Sequence, residues 1–193
     1  HNRYIVTGLH KHNRFTILDG NGNKVGDFGG YPYRDEEEKK VDGFVLGDVY
    51  QGKLAASPRR NRFVQAIYKA RILTFYEQSG EHWNLVKEIQ ESFPKYKYNS
   101  PAIETDTPIG YLDVCATEKY VYALYSGKNY RDDKEAAFSG YTIEVYGWDG
   151  TLQKRYLSDV PLKAIEVSKD DGSLYAIAYH PDPVLVQFTL FGQ

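Results

Sequence analysis

A seven-residue stretch recurs four times in the 193-residue chain: RYIVTGL from Arg3, RFVQAIY from Arg62, KYVYALY from Lys119 and SLYAIAY from Ser173. Each copy opens on a polar residue. A large apolar side chain follows (Tyr4, Phe63, Tyr120, Leu174), then a β-branched or aromatic one (Ile5, Val64, Val121, Tyr175). The starts lie 59, 57 and 54 residues apart, a period at which repeat architectures are the first to test. Such a recurrence points to stacked copies of one supersecondary unit.

The segments around each copy read as strands. In the first unit Phe15, Ile17 and Asp19 keep period 2 up to the turn cluster DGNGN, and Val25 and Phe28 continue to Gly29, Gly30 and Pro32, which end the pattern. The second unit runs KLAASPRRN, RFVQAIY, ARILTFYE and HWNLVKEIQ. The third runs YLDVCATE, KYVYALY, YTIEVYG and LQKRYLSD, and the fourth LKAIEVSKDDG, SLYAIAY and VLVQFTLFG. Three, four, four and three strands make fourteen, and each meander closes on a glycine turn at Gly22, Gly80, Gly150 or Gly192. Four-stranded antiparallel units at a steady period are the blades of a β-propeller; a β-sandwich predicts no such period. The expected fold is all-β, a single-domain propeller segment of about three and a half blades with units near 1–32, 53–92, 111–159 and 162–193. Each recurring stretch is expected as the second strand of its own blade, no two in one sheet. The first unit lacks its innermost strand and the last its outermost.

Composition agrees and excludes some functions. Eighteen Tyr and nine Phe suit pleated, half-buried surfaces. With 24 Lys plus Arg against 26 Asp plus Glu, no net field favours nucleic acid or an anionic membrane. No apolar run has membrane-spanning length. The single Cys115 lies in YLDVCAT and reads as a buried, inert thiol, which rules out a disulfide within the chain. The chain has no Met and opens on HNRYIV, already in a strand pattern. It is expected to be a piece of a longer chain, with any targeting signal upstream.

The ending YAIAYHPDPVLVQFTL, the opening YIVTGLHKHNRFTILDGNGNKVGDFGGYP and the middle YQGKLAASPRRNRFVQAIYKARILTFYE resemble the TolB-like six-bladed propeller family of bacterial envelope proteins. The resemblance covers essentially the whole chain as the C-terminal part of such a protein. It implies a six-bladed ring, a periplasmic or cell-surface location with a lipid anchor upstream, and a binding role. It names no ligand.

In a propeller the loops from second to third strand and from blade to blade emerge on one face. That sorting gathers the long segments 33–50, 93–110 and 126–140, with HKHNR at 10–14 and HPDP at 180–183. Loops on a rigid scaffold carry most binding residues. The candidates here are Tyr33, Arg34, Tyr96, Tyr98, Tyr130 and Arg131, a mixture typical of interface anchors, together with His10 and His180. The bland alternative has the YKY tyrosines packed over a blade edge with their phenols in water. His10 and His12 are half a zinc site without acidic or Cys ligands nearby, so no metal is expected. Neither a cofactor nor a catalytic residue is assigned. The charge run RDEEEKK reads as a solvated face, Glu118 as a surface pair with Lys119, and PRRNR as a solvated turn. The leading function is a non-catalytic binding or scaffolding propeller for a peptide, protein or glycan. The alternative is a lactonase-like hydrolase with calcium in the channel, drawing on Asp113, Glu166, Glu104 and Asp106. Open blade faces are to be covered by missing N-terminal blades or by self-association.

Overall fold

Three antiparallel sheets form in chain order. The computed structural model describes residues 3–8, 13–179 and 181–190. The first sheet holds β1 (Tyr4–Thr7), β2 (Phe15–Leu18) and β3 (Lys24–Phe28). The second holds β4 (Gly52–Ala56), β5 (Arg62–Ile67), β6 (Ile72–Ser79) and β7 (His82–Gln90) in consecutive order. The third runs through β8 (Tyr111–Ala116), β9 (Tyr120–Tyr125), β10 (Gly140–Gly147), β11 (Leu152–Val167), β12 (Ser173–Tyr179) and β13 (Pro183–Thr189). The glycines read as turn residues adopt positive φ where a hairpin needs it: +85° at Gly22, +60° at Gly80 and +78° at Gly150. In the first of these turns the Asp19 carboxylate also accepts from the main-chain N–H groups of Asn21 and Asn23.

All four recurring stretches form strands, β1, β5, β9 and β12. The expectation that no two share a sheet is corrected: β9 and β12 belong to the same six-stranded sheet. The cause is β11, whose 16 residues stay extended across Val160 and Pro161, where the sequence pattern suggested a break. Its N-terminal half pairs with β10 from Leu152 to Leu157, and its C-terminal half pairs with β12 from Leu162 to Val167. Between them the Ser158 hydroxyl donates to the Val160 carbonyl and accepts from the Val160 N–H, so the bend needs no separate turn. The described strands therefore number thirteen, two expected strands having merged.

Successive sheets pack face to face because their strands are apolar on both sides. On β5, Phe63 meets the first sheet in a cluster with Phe15, Phe28, Tyr76 and Trp83, while Val64 and Ala66 meet Val114, Val121, Ala123 and Tyr146 of the third. The Phe63 and Tyr76 rings stack at 4.9 Å, and Phe15 stands edge-on to both. Within the third sheet the curl brings Cys115, Tyr122, Leu124 and Val145 onto Leu162, Ile165, Leu174 and Ala176. The buried Cys115 thiol is pushed well up by desolvation, with Glu166 and Asp113 adding to it, as an inert core residue should be. Backbones approach closely at two glycines: a Cβ on Gly52 would lie 2.1 Å from the Ala66 carbonyl oxygen, and one on Gly110 1.8 Å from that of Ala70.

Among the described residues no sheet follows the third. In β12 burial alternates strictly, with Leu174, Ala176 and Ala178 covered and Tyr175, Ile177 and Tyr179 exposed. A strand with one face covered shows this alternation, whereas β5 is buried on both faces. Among the described residues no helix is long and apolar enough to cross a membrane.

Phe63 is 3 % exposed, so Phe63→Ala should cost about 3–5 kcal/mol in denaturant unfolding. Tyr120→Ala should cost less, because Tyr120 is only partly buried. Equal losses would mean that Phe63 is not the centre of an inter-sheet joint.

Candidate functional site

The three long segments meet on one side of the sheets. The first contains a 3₁₀ turn (Glu38–Lys40) and helix α1 (Gly43–Val49), started by the Asp42 side chain, which accepts from the Phe44 N–H. The third contains α2 (Tyr130–Asp133), capped by Asn129, and a further 3₁₀ turn over Lys134–Phe138. The second, 93–110, is held by main-chain bonds to its neighbours, Arg131 N–H to the Thr105 carbonyl at 2.9 Å and Ile109 N–H to that of Lys128 at 2.7 Å.

Glu38 organises the first two segments. It is fully buried and accepts from the phenols of Tyr96 at 2.6 Å and Tyr50 at 2.9 Å and from the Arg34 N–H at 2.5 Å. The reading of RDEEEKK as a solvated face is therefore corrected at this one position: the 3₁₀ turn points Glu38 inward while its charged neighbours stay exposed. Around the carboxylate, Tyr31, Leu46, Val49, Tyr50 and Tyr96 pack over Ile67, Ala70 and Ile72 at the β5–β6 end. Burial pushes the Tyr31 phenol up to about 12. Burial pushes Tyr50 and Tyr96 higher still, and the Glu38 charge adds to both.

Of the six described candidates, Arg34, Tyr96 and Tyr98 come together. The Arg34 guanidinium lies 5.2 Å from the Tyr98 ring centre and 5.9 Å from that of Tyr96, and donates to the Tyr98 oxygen at 2.9 Å. Tyr98 in turn donates to Asp35 at 2.6 Å. The alternative with wet phenols is corrected for Tyr96, whose hydroxyl is buried on Glu38, while the Tyr98 hydroxyl keeps an exposed setting beside its partners. Tyr33 lies beside this group, edge-on to Tyr31 at 6.4 Å, and lines a 220 Å³ cleft with Val41, Asp42 and Leu46. Tyr130 and Arg131 form a separate place. Arg131 and Lys95 both reach one Asp106 oxygen at 3.1 Å, and the Lys95 hydrogen bond is the largest influence holding that carboxyl below its ordinary range. Tyr130, 42 % exposed, lines a 260 Å³ cleft with Ile103, Glu104, Ile109 and Phe138. His10, His12 and His180 lie outside the described residues.

Among the described residues no three or more His, Cys, Asp or Glu side chains gather as a metal site. Asp113 accepts from the Ile165 N–H at 2.9 Å across two inner strands, and Asp106 is held by its two cations. Glu118 is corrected from a surface pair with Lys119: it accepts from the Arg59 N–H at 2.8 Å and from the Arg62 guanidinium at 3.2 Å, joining the second and third sheets. Arg62 also lies over the Trp148 ring, so only part of PRRNR is solvated. A further buried carboxylate escaped sequence reading. Glu144 accepts from Arg71, Arg155, Tyr111 and Tyr146. Burial pushes its carboxyl up, but the Tyr146 hydrogen bond and the Arg71 charge outweigh that and hold it below the ordinary range. The available signal was its position in YTIEVYG, in register with the inward face of β10.

Stacked antiparallel sheets with their long connections on one side define a β-propeller segment. The chain belongs to the TolB-like 6-blade propeller-like family, which matches residues 1–170. Solved structures similar to it include the Cps50 (Swd1) β-propeller domain of Myceliophteria thermophila, at 10 % identity and TM-score 0.54, over 97 % of this chain and 52 % of that one. A functionally unknown protein from Desulfotomaculum acetoxidans DSM 771 is similar at 11 % identity and TM-score 0.53, over 98 % and 52 %. At such identities the likeness is one of fold alone, and the chain spans about half the length of these structures. No curated protein matches it in sequence.

Tyr96→Phe removes one of the donors to the buried Glu38 and should destabilise the fold by about 1–3 kcal/mol in denaturant unfolding. A loss near zero would show that water replaces the phenol.

Alkaline titration tests the same cluster. A phenol whose folded value exceeds its ordinary 10.0 contributes stability that is whole below that pH and is lost as pH rises toward the folded value. Stability should therefore fall above about pH 10, with the tyrosinate absorbance of Tyr31, Tyr50 and Tyr96 appearing together with unfolding. Early, non-cooperative ionisation of all phenols would contradict their burial.

Proposed function

We propose that this chain is a non-catalytic binding or scaffolding domain of the bacterial envelope, taking a peptide, protein or glycan on the face built by its three long segments. One observation carries this reading. The segments are cross-braced through Glu38 and Asp106, and they hold Tyr33 and Tyr130 at the mouths of two shallow clefts with Arg34 and Arg131 beside them. Aromatic rings on a rigid rim offer large contact area at little entropic cost, and adjacent guanidiniums add directed hydrogen bonds. His10 and His180, outside the described residues, are further candidates. Family membership supports an envelope location. Residues 111–159 and 162–193 are read as two repeat units joined through β11, beside units at 1–32 and 53–92. Further blades, or a second copy, cover the apolar face of Tyr175, Ile177 and Tyr179.

A hydrolase with calcium in the channel is the second reading, favoured by Asp113 and Glu166 on the neighbouring inner strands β8 and β11. Two carboxylates, one already bonded to the main chain, make a poorer calcium cage than the six to eight oxygens that ion takes.

Glycan and peptide arrays probed with the purified protein should yield a ligand class. Tyr33→Ala and Tyr130→Ala should then each weaken binding about tenfold, on the order of 1.4 kcal/mol, while the protein stays folded at the assay temperature. Unchanged binding in both variants would remove the long-loop face from consideration. Elemental analysis of dialysed protein should find no stoichiometric zinc or calcium. One calcium per chain together with lactone hydrolysis would establish the hydrolase.

A further inference from the structure

A cleft of 260 Å³ opens where the turn between β5 and β6 meets the second and third long segments. Lys69 comes from that turn, Ile103, Glu104 and Ile109 from the second segment, and Tyr130 and Phe138 from the third. Pockets that enclose a whole small ligand measure about 300–1,000 Å³. This one is of a size to hold a single large side chain rather than an entire ligand.

The walls are braced against each other. The Arg131 N–H donates to the Thr105 carbonyl and the Ile109 N–H to that of Lys128, tying the two segments together. The Asn129 side chain accepts from the Asp132 N–H at 3.0 Å, and the Asp133 carboxylate accepts from the Asn129 N–H at 3.1 Å, so the start of α2 is fixed reciprocally. The residue after α2 carries strain. Lys134 has φ +51° and ψ −131°, a backbone conformation that favours glycine because a Cβ crowds it. This kink turns the chain from α2 into the 3₁₀ turn and leaves the Tyr130 and Phe138 rings 5.9 Å apart, tilted by 38°. Two contacts of Lys134 offset the strain: its Nζ donates to the Arg131 carbonyl at 2.6 Å and lies 5.7 Å from the Tyr130 ring centre. A strained residue held between two aromatic walls of one cleft points to a use for the cleft.

The lining selects among ligands. Two isoleucines and a phenylalanine give the hydroxyls of a sugar nothing to bond with, and hydroxyls buried without partners cost free energy. The Thr107 hydroxyl, which also faces the cleft, is engaged with the Lys95 main chain. An aliphatic or aromatic side chain meets no such cost. The two charged groups at the cleft are opposite in sign. Among the described residues neither forms an ion pair: the Glu104 side chain is exposed, and the Lys69 ammonium lies over the Tyr68 ring at 5.4 Å. A ligand with a carboxylate and a cation on either side of an apolar group complements both.

We propose that this cleft anchors one large apolar side chain, Leu or Phe, of a linear peptide in which that residue stands between an acidic and a basic one. The acidic neighbour pairs with Lys69 and the basic neighbour with Glu104, while the anchor packs against Tyr130, Phe138 and Ile103. The assignment rests on the long-loop face being the binding face, and it selects peptide over glycan for the Tyr130 side of that face. An enclosed anchor with charges at its rim places most of the affinity in the anchor and the register in the charges.

Calorimetric titration of the 193-residue protein with peptides blocked at both termini tests this. Two carry the sequences Ala-Asp-Leu-Arg-Ala and Ala-Arg-Leu-Asp-Ala, and their controls have Ala in place of Leu. One Leu peptide should bind saturably and in preference to the other, with its Ala control about tenfold weaker. Tyr130→Ala should weaken that peptide about tenfold. The double variant Lys69→Glu, Glu104→Lys, which exchanges the rim charges and leaves the apolar walls intact, should transfer the preference to the Leu peptide of opposite order. Lys134→Gly should weaken the peptide without lowering the melting temperature, because relief of the kink frees the Tyr130 wall. The proposal is overturned if neither Leu peptide saturates at millimolar concentration, if the Ala controls bind equally, or if the rim exchange leaves the preference unchanged. Undiminished binding by both Tyr130→Ala and Lys134→Gly overturns it as well. Should array glycans bind in a Tyr130-dependent manner while no peptide saturates, the long-loop face stands as the binding face and the peptide anchor alone falls.

Discussion

Every sheet in this chain needs a neighbour on each face, and that requirement governs the rest of the structure. A strand such as β5, with Phe63 pointing one way and Val64 and Ala66 the other, has no solvent side. Its sheet can be stable only as the middle layer of a stack. Once the stack forms, its curvature brings inner strands together and throws the connections to the two ends. The long-loop face is thus a by-product of sheet packing. The exposed rows on β12 and β4 show where the requirement is not met within the described residues.

Apolar packing alone would let adjacent sheets slide, and buried polar groups oppose this at several joints. Glu118 links the β8–β9 turn to Arg59 and Arg62 of the second sheet. Glu144 links β10 to Arg71, which also stacks on Tyr125 at 4.6 Å. Asp171, at the β11–β12 turn, accepts from Thr117 at 2.8 Å and Tyr122 at 2.9 Å. Each carboxylate has donors from elements distant in sequence, and a shift in register would leave the buried charges of Glu144 and Asp171 unmatched, at a cost of several kcal/mol, while the half-exposed Glu118 contributes less. Glu38 acts in the same way one layer out, fastening two loops to each other over the β5–β6 end. Rigidity of the candidate face therefore derives from the same kind of interaction that sets the register of the sheets.

The order of strands, their hairpin turns and the side that carries the long connections were legible from local sequence, and the strand count to within one, fourteen expected against thirteen described. Period-2 alternation, β-branched and aromatic enrichment and turn glycines are properties of a few adjacent residues, and the recurrence of RFVQAIY and its relatives multiplied that local signal. The break expected between LQKRYLSD and LKAIEVSKDDG came from assigning them to two separate units. In β11 the change of partner strand happens at that point, and the chain passes through it extended. The candidate site was legible only as a set of segments. Arg34, Tyr96 and Tyr98 do meet, but their polar atoms serve each other, and Tyr130 with Arg131 stands apart beside Asp106.

By itself the sequence determined that the chain is all-β, built of repeated meanders, and aromatic and basic along its long connections, because each of these depends on neighbours within about ten residues. Tertiary structure alone decided which charges are buried and which tyrosines remain available. Glu36, Glu37 and Glu38 are chemically identical in sequence; only Glu38 is enclosed, because Tyr96, 58 residues away, and Tyr50 close over it. Burial is a relation between distant segments, and no local pattern encodes it.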